Sequence, residues 1–173
     1  MKVQILLAVI ATTSMLKSEV ISSDENAFHL KITQEVSATP SDAYTQFLNV
    51  GEWWSSEHTW FGDAKNMTIE PKAGGCFCER ANGNEVMHMQ VSAVFVDKEI
   101  VMLGGLGPLQ KMGITGVMTW RFEMLESGKT QITNEYRVIG HGQDDMPGFA
   151  EIVNKVQTLQ LGLLAKKLNQ AET

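Results

Sequence analysis

The sequence predicts one α+β domain in which a curved antiparallel sheet packs against a long C-terminal helix. Strand-like segments separated by turn residues follow one another from Met67 to Val138. The chain then carries an apolar helical pattern of more than 20 residues that runs to Leu168. A helix of that length with one apolar stripe is expected to lie across a sheet. The 173 residues are enough for one such domain and a short additional segment.

Composition and charge exclude several classes of protein. Hydrophobic residues make up 43% and charged residues 20% of the chain, which is typical of a globular domain and excludes a disordered one. The net charge of −6 and the lack of a basic patch argue against nucleic-acid binding. The glycine run at 104–107 has no Lys-Ser/Thr partner and opens no helix, so no phosphate-binding loop and no cofactor are predicted.

The N-terminal segment has the features of a secretory signal peptide. Lys2 precedes an uncharged, mostly apolar run at residues 3–16, which is shorter than the roughly 20 apolar residues of a membrane span. We predict a signal peptide at 1–22, with a second cleavage option at Thr12–Ser14, and a periplasmic or secreted protein without stable membrane insertion. The alternative is a buried first helix, and the polar stretch Ser22–Asn26 favours cleavage.

The predicted domain, residues 26–170, begins with a strand followed by two short helices. Apolar and polar residues alternate over Phe28–Val36, which indicates a strand with one buried face. Thr39 is placed to cap a helix whose first residue is Pro40. A second short helical turn is predicted at Glu52–Trp54.

Two hairpins define most of a sheet of about six or seven strands. Asn82-Gly83 predicts a two-residue type I′ turn, because that turn requires positive φ at both positions. The second hairpin turns at 127–129. The expected cross-strand pairs are Glu79 with Val86, Cys78 with Met87, Phe77 with His88, Cys76 with Met89, Phe122 with Asn134, and Trp120 with Tyr136.

The last helix is predicted to begin near Asp144, Asp145 and Pro147, since acidic residues suit the positive end of a helix dipole. Its apolar stripe is expected to face the sheet. The residues of that stripe are Phe149, Ile152, Val153, Val156, Leu159, Leu163 and Leu164.

Five short segments and the element order resemble one known superfamily. The segments are Val36–Pro40 (VSATP), Gly51–Trp54 (GEWW), Glu70–Glu79 (EPKAGGCFCE), Leu106–Gln110 (LGPLQ) and Thr130–Gly140 (TQITNEYRVIG). They are similar to segments of the START-like SRPBCC superfamily, in its polyketide cyclase/dehydrase and heat-shock-ATPase-activator-like (AHSA-type) branch. The resemblance covers about residues 28–168. It implies a helix-grip fold and a cavity between sheet and C-terminal helix for a small hydrophobic or amphipathic molecule.

Nine residues are candidates for the lining of that cavity. Aromatic side chains stack on flat ligands but also fill cores, so simple core packing is the alternative. Asn134 and Tyr136 could orient a ligand, or could make an internal hydrogen bond or bind a water molecule. The nine are Trp53, Trp54, Trp60, Phe77, Glu79, Trp120, Phe122, Asn134 and Tyr136.

Glu79, His88 and His58 are the candidate catalytic residues. The predicted hairpin brings Glu79 and His88 to one face, and His58 can approach from the loop after the tryptophans. A carboxyl group beside an imidazole in a dry cavity can transfer protons, as a cyclase or dehydratase (a lyase or isomerase) requires. The alternative is a structural ion pair.

Cys76, Cys78, Met87 and Met89 form a second candidate site. The expected register places four soft sulfur atoms on one face, and such ligands favour Cu(I). The alternative is four adaptable core side chains. Cysteines two apart on a flat strand have Cα atoms about 6.5–7 Å apart, at the limit for a disulfide.

Three functions remain open at this point: binding of a small hydrophobic molecule without catalysis, cyclase or dehydratase chemistry, and copper binding. The branch name also suggests activation of a chaperone ATPase, which the export signal disfavours. The sequence does not identify a protein partner.

Overall fold

The computed structural model describes residues 16–141 and 145–170. Most of the predicted signal peptide and Asp144 lie outside the described residues. The predicted α+β class is confirmed, with eight antiparallel strands in one sheet of order β1-β2-β8-β7-β6-β5-β4-β3. The elements are β1 (Lys17–Ser23), β2 (Ala27–Val36), α1 (Pro40–Leu48), β3 (Met67–Ile69), β4 (Cys76–Ala81), β5 (Asn84–Phe95), β6 (Glu99–Leu103), β7 (Thr115–Met124), β8 (Thr130–Ile139) and α2 (Met146–Gln170).

β1 is the strand that the sequence did not predict. It pairs antiparallel with β2 and is fastened to α2 by side chains. Ser18 Oγ donates to Asn154 Oδ1 at 2.8 Å and accepts from Thr158 Oγ1 at 2.7 Å. A cleavage after Ser22 would remove six of the seven residues of β1.

The first predicted strand and helix are confirmed. In β2 every second side chain from Phe28 to Val36 is buried. Thr39 caps α1 by accepting a hydrogen bond from the Asp42 N–H, and Pro40 is its first residue. Short 3₁₀ turns at Val50–Glu52, Ser56–His58 and Ala64–Asn66 follow, so the predicted second helix is a series of single turns.

The first hairpin has the predicted turn but not the whole predicted register. Asn82 and Gly83 have φ values of 52° and 78°, as a type I′ turn requires. Glu79 pairs with Val86 and Cys78 with Met87, as expected. Beyond them the prediction is wrong, because His88 is an extra residue in a β-bulge. The pairs there are Phe77 with Met89 and Cys76 with Gln90.

The second hairpin differs from the prediction by two residues. Trp120 pairs with Asn134 and Phe122 with Ile132, because the turn is centred on Ser127 and uses Gly128 at φ 80°. A shift of two residues preserves the alternation of side chains between the faces. The large side chains therefore still share one face, and Trp120 and Tyr136 are buried.

α2 begins where the sequence predicts but buries a different stripe. The Asp145 Oδ1 atom accepts a hydrogen bond from the Gly148 N–H at 2.8 Å. Ile152 and Leu159, expected in the core, are 58% and 42% exposed, while Leu164 is buried as expected. The buried residues are Met146, Ala150, Gln157, Gln160, Leu161, Leu164, Ala165 and Leu168. No helix among the described residues is long and apolar enough to span a bilayer.

Candidate functional site

The β-bulge in β5 positions a buried histidine beside a buried carboxylate. In a regular strand His88 and Met89 would point to opposite faces, but both are buried here, because the extra residue reverses the alternation. The His88 Nε2 atom lies 3.2 Å from Glu79 Oε2. Glu79 is 0% and His88 3% exposed. The predicted proximity of these two residues is thus present in the structure.

Two backbone amides also bind the Glu79 carboxylate. The N–H of Trp60 donates to Oε2 at 2.8 Å, and the N–H of Phe61 donates to Oε1 at 2.7 Å. Both carboxylate oxygens therefore act as hydrogen-bond acceptors. Glu79 therefore holds the loop after the Ser56–His58 turn against β4 and presents an acceptor to His88.

Burial lowers the pKa of His88 below its ordinary value, and the bond and charge of Glu79 only partly oppose this effect. A neutral imidazole carries one proton. Since both Glu79 oxygens accept backbone N–H groups, Glu79 also acts as an acceptor toward His88, and the imidazole proton lies on Nε2. The Nδ1 atom of His88 then has a free lone pair, which can accept a hydrogen bond or a proton.

An open cavity of about 370 Å³ lies at this bulge. It is formed by β5, β6, the start of β7 and the loop between β6 and β7, and α2 contributes no residue to its lining. Most of the lining is apolar side chain or glycine backbone. The lining residues are Met87, His88, Met89, Leu103, Gly104, Gly105, Gln110, Gly113, Ile114 and Thr115.

The loop from Gly104 to Ile114, with a 3₁₀ turn at Gly107–Gln110, is attached directly to the bulge. The Gln110 Nε2 atom donates to the carbonyl oxygens of Met87 at 2.5 Å and of His88 at 3.0 Å. These bonds satisfy carbonyl groups where the bulge disrupts the strand pairing. The loop therefore forms a fixed wall of the cavity.

The predicted pocket aromatics form a buried chain of rings instead of lining this cavity. Trp53, Trp54, Phe77, Trp120 and Phe122 are all at least nine-tenths buried. Ring centroids are 6.1 Å apart for Trp53 and Trp120, 5.6 Å for Trp54 and Phe77, and 5.1 Å for Phe77 and His88. Trp60 is 38% exposed, and Lys111 Nζ lies 4.9 Å from its ring centroid.

The two predicted polar groups of the pocket hold structural elements together. Asn134 Nδ2 donates to Gln157 Oε1 of α2 at 3.0 Å. The Tyr136 hydroxyl donates to the Gly104 carbonyl at 2.9 Å and accepts from the Leu106 N–H at 3.3 Å. Asn134 therefore links the sheet to the helix, and Tyr136 holds the start of the cavity loop.

His58 is separated from the Glu79–His88 pair. Its Nδ1 atom accepts from Gln160 Nε2 of α2 at 3.1 Å, and its carbonyl oxygen accepts from Trp54 Nε1 at 3.0 Å. Within 16–141 and 145–170, no hydrogen bond joins His58 to Glu79 or His88. The arrangement favours a structural role for His58.

The predicted four-sulfur face is not present. The bulge turns Met89 into the core, whereas Met87 is 51% exposed. Cys76 and Cys78 form a disulfide, with Cα atoms 5.3 Å apart. The Cα–Cα distance expected for a flat strand was too long, because the strand pair is irregular at Phe77–Cys78. The cysteine sulfurs and a Glu85 carboxylate oxygen lie within 4.8 Å of one another, but the disulfide occupies both sulfurs.

Sequence reasoning missed three glutamines with specific partners. Gln110 holds the bulge, while Gln157 and Gln160 are buried on α2, where Gln160 Oε1 also accepts from the Ser55 N–H at 2.9 Å. A signal was available for the last two. Both interrupt the apolar pattern of α2 at buried positions, and buried polar groups are almost always hydrogen bonded.

Comparison with known proteins supports the fold. No protein-family model and no curated protein matches the sequence. Among solved structures, protein MLL2253 from Mesorhizobium loti is 14% identical with a TM-score of 0.56, covering 82% of this chain and 97% of its own. Protein SA2116 of unknown function from Staphylococcus aureus is 16% identical with a TM-score of 0.56, and the match covers 86% of this chain and 98% of the SA2116 chain.

A third solved structure extends over more of this chain. CalU16 from Micromonospora echinospora is 16% identical with a TM-score of 0.51, covering 90% of this chain and 82% of its own. The long C-terminal helix packed on one antiparallel sheet fits a helix-grip fold. At these identities the likeness concerns the fold alone.

Proposed function

We propose that this chain is an SRPBCC-type protein that binds a small, mainly apolar molecule in the cavity beside His88. The observation that carries the proposal is the cavity of about 370 Å³ at the bulge, whose apolar walls meet one oriented imidazole. Ligand sites commonly combine an apolar lining with a few placed polar groups. The site proposed here lies at the bulge and the loop Gly104–Ile114, not between the sheet and α2.

The contacts around the cavity support a preformed site. Gln110 holds one wall, Tyr136 holds the start of the same loop, and Glu79 orients His88. A ligand therefore orders few groups when it binds, which lowers the entropic cost of association.

The test compares two methionine variants. Met87 lines the cavity and is 51% exposed, whereas Met124 is 55% exposed at the far end of β7 and is not part of the lining. Both are replaced by arginine, and binding of two uncharged probes, 2-naphthol and 2-methoxynaphthalene, is measured by NMR titration. We expect Met87→Arg to weaken binding at least tenfold and Met124→Arg to leave it unchanged.

Two outcomes would overturn the proposal. One is that neither probe binds the wild-type protein, and the other is that both arginine variants bind as the wild type does. Circular dichroism spectra of both variants establish that each retains the native fold before the affinities are compared.

A second candidate function is proton-transfer chemistry of the cyclase or dehydratase type at the same site. The observation that favours it is the buried pair of Glu79 and His88, whose geometry leaves the imidazole Nδ1 free to accept a proton beside the cavity. We expect wild-type protein to convert a component of a cell metabolite extract that His88→Gln leaves unchanged. Identical mass-spectrometric profiles for the two proteins would contradict this activity.

We further propose that the protein acts outside the cytosol, after removal of its N-terminal segment. The disulfide between Cys76 and Cys78 supports an oxidising compartment. Of the two cleavage options, the one at Thr12–Ser14 leaves β1 intact, so we favour it. N-terminal sequencing of the exported protein tests this choice, and a mature chain that begins at Ser23 would contradict it.

A further inference from the structure

We propose that the ligand is an uncharged molecule with a hydroxyl group, and that this hydroxyl donates a hydrogen bond to Nδ1 of His88. The inference rests on the proposed function, because it concerns the same cavity. It narrows the ligand class from small apolar molecules to alcohols and phenols and excludes carboxylates. Three features of the site support it: the proton position on His88, the orientation of Gln110 and the charges around the cavity.

The first feature is the direction of the hydrogen bond between His88 and Glu79. Both carboxylate oxygens already accept backbone N–H groups, from Trp60 and Phe61. A carboxylate in that position acts as an acceptor toward His88 Nε2. The imidazole proton therefore lies on Nε2, and the side of the ring that can meet a ligand is an acceptor. A ligand hydroxyl complements it, whereas an ether or ketone oxygen does not.

The second feature is the orientation of the Gln110 side chain, which also lines the cavity. Its Nε2 atom donates to the carbonyl groups of Met87 and His88, which uses both of its N–H groups, so the amide atom left for a ligand is Oε1, another acceptor. Two acceptors on neighbouring walls favour a ligand with donor groups. The Thr115 hydroxyl in the lining can either donate or accept and does not alter this preference.

The third feature is the absence of a positive charge in the lining. None of the lining residues is Lys or Arg, and burial keeps the pKa of His88 below its ordinary value. Lys111, which follows Gln110, has its Nζ over the Trp60 ring. Glu79 lies directly behind His88, and the whole chain has a net charge of −6. A carboxylate ligand would therefore find no counter-charge in the lining and would be repelled by Glu79.

The experiment uses three matched bicyclic probes at pH 7.5: 2-naphthol, 2-methoxynaphthalene and 2-naphthoate. We expect 2-naphthol to bind about fivefold more tightly than 2-methoxynaphthalene, the ratio that one net hydrogen bond of about 1 kcal/mol provides. We expect no measurable binding of 2-naphthoate. In the ¹⁵N spectrum, the His88 Nδ1 resonance should move with 2-naphthol and not with 2-methoxynaphthalene.

Two histidine variants complete the test. His88→Phe removes the acceptor and should reduce the affinity for 2-naphthol to that for 2-methoxynaphthalene. His29→Phe is the matched control, because His29 Nε2 also binds a glutamate, Glu135, at 2.7 Å but does not line the cavity. The ¹⁵N measurement on wild-type protein decides the question even if His88→Phe fails to fold.

The possible failures of the two proposals are distinguishable. Equal affinities for 2-naphthol and 2-methoxynaphthalene, both sensitive to Met87→Arg, would overturn the hydroxyl inference and leave the proposed function in place. Tighter binding of 2-naphthoate than of 2-naphthol would also overturn it. Binding of none of the probes would overturn the proposed function itself.

Discussion

The hydroxyl of Tyr136 donates a hydrogen bond to the carbonyl oxygen of Gly104 at 2.9 Å, which joins the centre of the sheet to the cavity loop. The same hydroxyl accepts from the Leu106 N–H. Burial raises the pKa of Tyr136 to about 12, although the bond from Leu106 acts in the opposite direction. The phenol therefore stays protonated at physiological pH and can always donate to the loop.

Tyr136→Phe should loosen the loop from Gly104 to Ile114. The change leaves the buried N–H of Leu106 and the partly buried C=O of Gly104 without their partner, so we expect the free energy of unfolding to fall by about 1–3 kcal/mol. Urea denaturation measures this loss, and hydrogen exchange should become faster at Leu106. Unchanged exchange at Leu106 would show that the hydroxyl does not hold the loop.

Glu79→Ala should be among the most destabilising single changes in this chain. It removes the partner of three donors, the amides of Trp60 and Phe61 and the ring of His88. Each of these donors that is buried and left without an acceptor costs about 1–3 kcal/mol. The control is Glu85→Ala, which removes an exposed ion pair with Arg80 and should cost less than about 1 kcal/mol. Equal losses in chemical denaturation would contradict the assigned role of Glu79.

His88 should make the protein less stable in mild acid. Its pKa in the folded state is lowered mainly by burial, so below the ordinary value of 6.5 the unfolded chain binds a proton that the folded chain does not. The contribution of His88 to the free energy of unfolding is fully favourable above that pKa. It declines as pH falls, by up to about 1.4 kcal/mol per pH unit.

The check on this pH dependence is denaturation of wild type and His88→Gln between about pH 5 and pH 7.5. The difference in unfolding free energy between the two proteins should shrink toward the acid end. A difference that is constant with pH would mean that His88 titrates alike in the folded and unfolded states.

β1 should contribute measurably to stability. A chain beginning at Asp24 loses the pairing with β2 and the bonds of Ser18 to α2. Because each net hydrogen bond contributes about 1 kcal/mol, we expect the unfolding free energy to fall by about 2 kcal/mol or more relative to a chain beginning at Leu16. Equal melting temperatures of the two chains would show that β1 is dispensable and that cleavage after Ser22 is tolerable.

Local patterns were sufficient for the elements whose conformation depends on neighbouring residues. The alternation in Phe28–Val36, the cap at Thr39 and the positive φ values required at Asn82-Gly83 all predicted the structure correctly. Each is decided within about ten residues of chain by backbone sterics and side-chain periodicity. The proximity of Glu79 and His88 followed from the same hairpin turn.

Errors arose wherever distant groups decide the conformation. The bulge at His88 depends on Gln110, more than twenty residues later, to satisfy the carbonyl oxygens. The face of α2 that is buried depends on Asn134 and on the loop that begins at Ser55, which bind its two glutamines. The interrupted apolar pattern marks these glutamines as candidates for burial, but it does not identify their partners, which lie far away in the sequence.

The sequence by itself determined the α+β class, the order of most elements and the pairing of one glutamate with one histidine, because short-range backbone preferences and periodicity encode them. Only the tertiary structure decided where the cavity lies. Its walls come from strands and a loop brought together by hydrogen bonds between distant parts of the chain. The tertiary structure also decided the orientation of the His88 ring. That ring is held by Glu79, which is itself held by amides of a loop almost thirty residues before His88.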